Sequence, residues 1–179
     1  MIFFTADTHF FHIGIIDYCD RPFRTIWRMN SCLIDKWNER VGQDDTVYHL
    51  GDFSFGSEKD MAETVGKLKG KIFLVPGSHD KTKKLDRLGI NCLEPLVNIS
   101  IDGQHIVLCH YAMRVWNKSH YGSWHLYGHS HGGLEPIGKS LDVGVDGHAF
   151  YPWSFDEIRK YMKDRPDNPY LVKSRVTQD

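Results

Sequence analysis

The sequence lacks any long apolar run, which argues against a membrane-spanning helix. No stretch of its 179 residues approaches the ~20 apolar residues that a helix needs to cross a bilayer. The opening residues MIFFTADTH have no basic segment, and their apolar run is too short for a secretion signal. We therefore expect a cytoplasmic protein that makes no membrane contact.

The sequence also lacks an excess of charge of either sign. Its 22 Lys and Arg residues nearly balance its 23 Asp and Glu residues, so the formal net charge is −1. This balance gives no electrostatic basis for a dedicated nucleic-acid surface. Repeats and low-complexity linkers are absent as well. We expect one domain over residues 1–179, with a loose polar tail over residues 164–179.

Cysteine is scarce, whereas histidine is frequent. The four cysteines form no CxxC pair and are most simply buried thiols of a reducing compartment. Several of the 11 histidines stand beside Asp or Gly instead of within apolar patterns. Histidine in such surroundings is a candidate for metal binding or catalysis.

The apolar pattern predicts a layered α/β domain with a mixed sheet, because strands and helices alternate early and strands dominate later. One amphipathic helix is expected over Thr25–Val41. Two more begin at capping boxes, Ser57 with Asp60 and Ser154 with Glu157. Asp102-Gly103 predicts a two-residue hairpin turn. Strands are predicted in the segments IFFTA, TVYHL, KIFLVP, VNISI, QHIVLC, HLYGH and SLDVGVD.

Asp or His follows five of these strands directly. Open α/β sheets bind ligands beyond the carboxyl ends of their strands, so these residues can converge on one site. Oxygen and nitrogen donors without thiolate suit Mn, Fe, Zn, Co or Ni better than Ca or Mg. A single DxH or HxH motif is more often surface or core chemistry, but the series favours a metal centre. The residues are Asp7, His9, Asp52, Ser78, His79, Asp80, His110, His129 and His131.

The series DTH, GD, GSHD, H and GHSH resembles the calcineurin-like metallophosphoesterase superfamily. The segments HFFHIGIIDYCDRPF and HYAMRVWNKSHYGSWHLYGHSHG are similar to those of small stand-alone bacterial and phage members. The resemblance implies a four-layer α/β sandwich of mixed sheets with flanking helices. It also implies two divalent transition metal ions, for which Mn is favoured and Fe, Zn, Ni or Co are alternatives.

The resemblance further implies the role of each ligand. Asp7, His9 and His131 are expected to bind a first metal, and His110 and His129 a second. Asp52 would bridge the two ions, and a hydroxide shared by them would attack phosphorus.

Two further residues acquire catalytic roles from the resemblance. His79 is expected to hydrogen-bond the phosphoryl oxygen or to protonate the leaving group, and Asp80 to orient or charge His79. Ser78 departs from the family pattern, which has Asn at this position. Since a serine hydroxyl is a shorter and poorer donor than an amide oxygen, we expect a weakened second metal site.

Substrate-binding residues are less clearly marked. His12 stands near the first metal motif, and Arg21 and Arg24 could bind a phosphate through their guanidinium groups. A surface position before a helix explains both arginines slightly better. Trp116, Tyr121 and Trp124 could stack on a nucleobase, although packing in the core explains them better.

The sequence therefore predicts a binuclear, metal-dependent phosphoesterase. A phosphodiesterase that hydrolyses a small or nucleotide-like phosphoester is favoured over a monoesterase. A non-catalytic scaffold with the same fold is the alternative from a different functional class, and Ser78 is the residue that keeps it open. A metal-dependent nuclease is a third possibility, which the nearly neutral charge disfavours.

Overall fold

Two mixed β-sheets face each other in the structure, a computed structural model that describes residues 1–170. The first sheet has the order β4-β3-β2-β1-β9, with β9 antiparallel at its edge, and the second has the order β5-β6-β7-β8, with β5 antiparallel. The strands are β1 Ile2–Thr5, β2 Thr46–His49, β3 Lys71–Leu74, β4 Asn91–Cys92, β5 Leu96–Ile101, β6 Gln104–Cys109, β7 Trp124–Tyr127, β8 Ser140–Asp142 and β9 Trp153–Ser154.

Alternating side chains of β1 divide the hydrophobic core into two layers, because successive residues of a strand point to opposite faces. Phe4 packs between the two sheets with Leu108 and Leu126, whereas Phe3 packs on the outer face of the first sheet. This outer layer contains helices. The helices are α1 Gly14–Tyr18, α2 Ile26–Arg40, α3 Glu58–Lys67, α4 Thr82–Arg87 and α5 Phe155–Met162.

The three helices with clear sequence signals are confirmed. Thr25 caps α2, and its hydroxyl accepts a hydrogen bond from the Arg28 amide at 3.3 Å. Both capping boxes, at the starts of α3 and α5, are formed as predicted. The short α1 and α4 and the two-residue strands β4 and β9 were not predicted, since so few residues show no periodicity. The predicted hairpin joins β5 and β6, and Asp102 and Gly103 both have positive φ.

Irregular segments cover the outer face of the second sheet. His125 and Tyr127 of β7 are buried there, and the ring of Trp116 lies 5.3 Å from that of His125. The chain after α5 joins this layer, because the Asn168 side chain donates to the Arg114 carbonyl at 2.8 Å. The prediction of a loose tail is therefore wrong for residues 164–170, while residues 171–179 lie outside the described part.

The predicted α/β sandwich of two mixed sheets is confirmed. Helices form the layer over the first sheet, and the irregular segments form the layer over the second. Within residues 1–170, none of the helices has the length and apolar character required to span a membrane. The fold places the carboxyl ends of several strands at one shared edge, and the candidate functional site lies there.

Candidate metal centre

Loops at the carboxyl ends of the strands bring the predicted ligands together. After β1 and β2, the two loops are joined by hydrogen bonds from the Asp7 amide to the Gly51 carbonyl and from the His9 amide to the Asp52 carbonyl, both 3.0 Å. A bond of 2.8 Å from the His129 amide to Asp7 Oδ2 connects the second sheet to the first. The site therefore depends on the packing of both sheets.

The ligands form two groups of three side chains. In each group, one candidate ligand atom per residue lies within 4.8 Å of the others; the groups are Asp7, His9 and His131, and Asp52, His110 and His129. Asp52 Oδ2 also lies 3.7 Å from His9 Nε2 and 3.5 Å from His110 Nε2. The carboxylate of Asp52 thus stands between the groups, where a bridging ligand is expected.

Unpaired polar atoms in the centre fit a metal ion. Asp7 Oδ1, His9 Nε2 and His110 Nε2 are buried without a hydrogen-bond partner among the described residues. Leaving one such group unpaired typically destabilises a protein by ~1–3 kcal/mol. Divalent transition metals take oxygen and imidazole nitrogen ligands, so bound ions would satisfy all three atoms.

Burial in the centre disfavours the charged forms of Asp7 and His9. Burial, followed by the nearby Asp142 carboxylate, raises the pKa of Asp7 well above its ordinary value. Burial, followed by His131, lowers the pKa of His9 to about 2, so its imidazole is neutral as metal binding requires. A cation would favour the ionised form of Asp7.

Five ligand residues have left-handed backbone conformations. This region is unfavourable for residues with a Cβ atom by roughly 1–2 kcal/mol each, and such strain concentrates at functional sites. These residues contribute to the two groups in which one ligand atom per residue lies within 4.8 Å of the others. The residues are Asp7, His9, Asp52, His129 and His131, with φ between 48° and 67°.

Two glycines allow the loops to approach the ligands closely. A Cβ atom at Gly51, where φ is +93°, would lie 2.5 Å from His110 Nδ1 and 2.6 Å from the Gly77 amide nitrogen. A Cβ atom at Gly128 would lie 2.6 Å from Asp7 Oδ2. Any side chain at these positions would displace a ligand.

Hydrogen bonds orient the imidazoles of the ligands. His110 Nδ1 lies 2.7 Å from the Leu50 carbonyl oxygen, which can only accept, so this nitrogen carries the proton. His131 Nδ1 lies 2.7 Å from Asp146 Oδ2. His9 Nδ1 lies 3.3 Å from His12 Nδ1. Contacts of this kind leave Nε2 free for a metal.

Asp142 and Asp146 support the centre and were missed in the sequence. Asp142 accepts hydrogen bonds from Ser130 Oγ at 2.6 Å and from the Gly132 amide at 3.0 Å, which shapes the loop that carries His131. Burial opposes ionisation of Asp146, but hydrogen bonds from His131 and Arg21 hold its pKa below the ordinary value. Both residues lie within the segment SLDVGVD, which was predicted as one strand, whereas β8 ends at Asp142. A shorter predicted strand would have brought both under the strand-end rule.

Cys19, His131 and Asp146 form a third close group of potential ligands. Burial raises the pKa of the Cys19 thiol to about 11, so it is protonated near neutral pH. Asp146 is already paired with the Arg21 guanidinium at 2.7 Å. This group is therefore a poorer metal site than the other two.

Asp80 contacts backbone amides instead of His79. Its carboxylate accepts hydrogen bonds from the amides of Asp52 and Gly77, both at 2.8 Å, and from that of Phe53 at 2.9 Å. No ion pair joins Asp80 to His79 in the described residues. Asp80 ties the Asp52 loop to the loop after β3, and its role towards His79 stays a prediction.

His79 and Ser78 lie exposed in that loop. The His79 amide donates to Asp52 Oδ1 at 3.2 Å, which places His79 beside the bridging carboxylate. The ring of His79 lies 4.8 Å from that of Phe55. The catalytic role of His79 and the ligand role of Ser78 stay predictions.

The three predicted substrate residues have different surroundings. His12 stacks on Phe55, with ring centroids 4.1 Å apart, beside the first ligand group. Arg24 is exposed before α2. The side chain of Arg21 is fully buried and bonded to Asp146, so the prediction that Arg21 contacts substrate is wrong. Burial prevents its guanidinium from reaching a phosphate in the centre.

The aromatic residues nearest to the ligands differ from those considered in the sequence. Trp116 and Trp124 are buried in the core, whereas Tyr121 is exposed. Phe55 and Tyr111 are 38% and 45% exposed and lie against ligand histidines: the ring of Phe55 is 5.3 Å from that of His9, and the ring of Tyr111 is 4.8 Å from that of His129. Aromatic surface therefore borders the centre on both sides.

Comparisons with known proteins agree with this geometry. Residues 1–136 match the model of the calcineurin-like phosphoesterase superfamily domain. The uncharacterised protein MJ1445 of Methanocaldococcus jannaschii is 33% identical, with 90% of this chain and 91% of that protein covered. The Gene 66 protein of Mycobacterium phage D29 is 26% identical, with 91% and 96% covered. The solved structure of AQ665 from Aquifex aeolicus shares the fold, with a TM-score of 0.72, 24% identity, and 90% of this chain and 98% of that one covered. The chain belongs to the calcineurin-like phosphoesterase superfamily.

Proposed function

We propose that this chain is a phosphodiesterase that uses two divalent metal ions, most favourably Mn, to hydrolyse a small or nucleotide-like phosphoester. The observation that carries the proposal is the pair of three-residue ligand groups with Asp52 between them. The unpaired atoms of Asp7, His9 and His110 support metal binding at this place. Bound ions would supply an activated water and neutralise charge on the phosphate oxygens.

His79 and Asp80 have separate roles in the proposed reaction. His79 is exposed beside Asp52 and can donate a hydrogen bond to a phosphoryl oxygen or a proton to the leaving oxygen. Asp80 accepts hydrogen bonds from the backbone of both loops and so links the loop of His79 to that of Asp52. No side chain is required as a nucleophile.

The aromatic border supports a nucleotide-like substrate. Phe55 lies between His12 and His79, with ring distances of 4.1 Å and 4.8 Å, and part of its surface is exposed. A nucleobase could stack against this group while its phosphate occupies the centre. The nearly neutral net charge favours such a small substrate over a long nucleic acid. The free cysteines agree with a cytoplasmic location.

The presence of Ser78, where the family pattern has asparagine, favours a second candidate function: a metal-binding scaffold without turnover. A weak neutral ligand in the second group would reduce occupancy of that site at physiological metal concentration. All other ligand positions of the family pattern and His79 are present, which favours the enzyme.

The test combines metal analysis with a substrate panel. Chelator-treated protein is loaded with Mn, Co, Ni, Zn or Mg and assayed on nitrophenyl mono- and diesters and on cyclic nucleotides. We expect up to two Mn ions per chain and faster hydrolysis of diesters than of monoesters. The matched control is Asp52→Asn, which removes the shared carboxylate. Metal binding without turnover on any ester would favour the scaffold, and absence of bound metal would exclude both candidates.

A further inference from the structure

A buried arginine lies directly behind the first ligand group. The Arg21 side chain is inaccessible to solvent, and its guanidinium binds both oxygens of Asp146, at 2.7 Å and 2.8 Å. It also donates to the backbone carbonyls of Asp7 at 2.7 Å and Thr8 at 3.1 Å, and contacts Met29 Sδ at 3.4 Å. All three nitrogens of the planar Arg21 guanidinium therefore contact protein atoms.

The contacts of Asp146 continue this arrangement to a metal ligand. Asp146 Oδ2, which receives Arg21 Nη2, also lies 2.7 Å from His131 Nδ1. A carboxylate at that distance accepts a hydrogen bond, so Nδ1 carries the proton and Nε2 of His131 keeps its lone pair. Carboxylate partners of this type fix both the tautomer and the ring orientation of metal-binding histidines.

Stability alone does not explain the pair of Arg21 and Asp146, because a buried ion pair gains little net free energy after desolvation. Its two ends instead hold two separate parts of one ligand group. Arg21 donates a hydrogen bond to the carbonyl of Asp7, a ligand residue with φ of 55°. Asp146 accepts a hydrogen bond from the ring of His131, whose φ is 48°. Asp7 and His131 come from loops of different sheets.

We propose that Arg21 and Asp146 are positioning residues of the first metal site, which hold Asp7 and His131 in ligating geometry before a metal binds. The inference rests on the metal centre of the proposed function and adds two residues outside the family motifs described above. It predicts that the geometry of His131 is set in the metal-free protein. Neither residue touches the substrate or the reacting atoms.

The first measurement uses metal-free protein, so it does not depend on activity. Long-range ¹H–¹⁵N NMR spectra report which imidazole nitrogen carries the proton, and the His131 signal is assigned by its absence in His131→Gln. We expect the Nδ1–H form in the unsubstituted protein and a mixture of tautomers in Asp146→Asn. An unchanged Nδ1–H signal in Asp146→Asn would overturn the inference.

The second measurement is the affinity for Mn, followed by titration calorimetry of the chelator-treated protein. Loss of such an outer partner typically weakens metal affinity by about 10–100-fold, and we expect this for one of the two sites in Asp146→Asn. Arg21→Lys is the milder second variant, because lysine keeps the charge but cannot bind Asp146 and the two carbonyls together. We expect an intermediate loss for Arg21→Lys, and if Asp146→Asn does not fold, this variant decides.

Glu157→Gln is the matched control, since it also removes the carboxylate partner of an arginine. Arg40 binds Glu157 at 2.9 Å, and this pair involves α2 and α5 and none of the ligands. We expect Glu157→Gln to bind Mn as the unsubstituted protein does. Equal Mn affinity in all four proteins would contradict the inference but leave the proposed function intact, whereas absence of Mn binding in the unsubstituted protein would contradict the proposed function.

Discussion

At the scale of single residues, the metal ligands combine backbone strain with unpaired polar atoms. His9 shows both features, with φ of 48° and a buried Nε2 that lacks a partner. Neither feature is favourable in the absence of a ligand, so the surrounding structure must impose them. At Asp52, whose φ is 55°, Asp80 contributes to this through its hydrogen bonds to the amides of Asp52, Phe53 and Gly77. A residue outside the ligand set can therefore control the geometry of the site.

Ser78→Asn is expected to tighten the second metal site. The asparagine side chain is longer than that of serine, and its amide oxygen is a better neutral ligand than a hydroxyl. By analogy with an unpaired polar group, the gain in the free energy of metal binding is on the order of 1–3 kcal/mol. Activity titrated against free Mn should therefore rise at lower Mn concentration in Ser78→Asn. Ser78→Ala should resemble the unsubstituted protein if water completes the second site. Superimposable curves for all three proteins would show that residue 78 is no ligand.

His79→Ala is expected to slow esters with poor leaving groups more than esters with good ones. A general acid typically contributes ~10²–10⁴-fold, and a nitrophenolate leaving group needs little of this assistance. The measurement compares kcat/KM on an alkyl and a nitrophenyl diester with the same metal. Equal losses on both esters would mean that His79 positions the phosphate and donates no proton.

At the scale of elements, short strands precede the loops of the site, and capped helices pack against the sheets. The box at the start of α5 is fully formed: Ser154 Oγ accepts from the Glu157 amide at 3.3 Å, and Glu157 accepts from the Ser154 amide at 2.8 Å. Helix α5 then packs Ile158 and Met162 into the core between the sheets. The cap thus fixes the entry of α5 at some distance from the metal ligands.

Ser154→Ala is expected to lower the free energy of unfolding by about 1 kcal/mol, the usual effect of losing an N-cap hydroxyl. Chemical denaturation measures this change, and Mn affinity should stay the same. Ser31→Ala is the control, because Ser31 lies on the exposed face of α2 and caps no helix. A similar loss in both variants would show that the effect comes from replacing serine in general.

At the scale of the whole molecule, the second sheet buries a histidine that must stay neutral. His125 Nε2 accepts a hydrogen bond from the Met113 amide at 3.0 Å, and Nδ1 lies 3.1 Å from the Val107 carbonyl oxygen. Burial lowers the pKa of His125 to about 4. The unfolded chain, with an ordinary histidine pKa near 6.5, therefore binds more protons than the folded protein between pH 4 and pH 6.5.

The folded protein is therefore expected to lose stability as the pH falls from 6.5 towards 4. Because the pKa of a histidine is lowered by folding, its stabilising contribution is present above pH 6.5 and declines below it. His125→Gln keeps one donor and one acceptor without a titratable group, so we expect it to reduce the loss between pH 7 and pH 5 by about 2 kcal/mol. Chemical denaturation of chelator-treated protein at both pH values measures the loss.

The exposed His105 supplies the control for this experiment. His105→Gln should leave the loss of stability between pH 7 and pH 5 unchanged, since the side chain meets solvent in the folded and the unfolded chain. If His125→Gln and His105→Gln behave alike, burial of His125 does not contribute to the pH dependence.

Features that depend on neighbours along the chain could be predicted from the sequence. The periodicity of α2, the two capping boxes and the Asp102-Gly103 turn are local, because hydrogen bonds within a few residues specify them. The convergence of the ligands on one site was also predicted, since parallel strands end at a common edge and place the residues that follow them there. Their division into two groups came from the family resemblance. The regular pattern of the strands therefore carried long-range information.

Contacts between distant residues depended on how the two sheets pack. The sequence contains no signal that pairs Arg21 with Asp146, 125 positions away, or that turns Asp80 from His79 towards the backbone of Asp52. Residues 164–170 are polar, which in the sequence predicts a loose tail. In the structure they form hydrogen bonds with distant backbone, such as the one from the Asn168 side chain to the Arg114 carbonyl. The physical reason is that hydrogen-bond partners in three dimensions are selected by distance and burial, and neither is set by local periodicity or propensity.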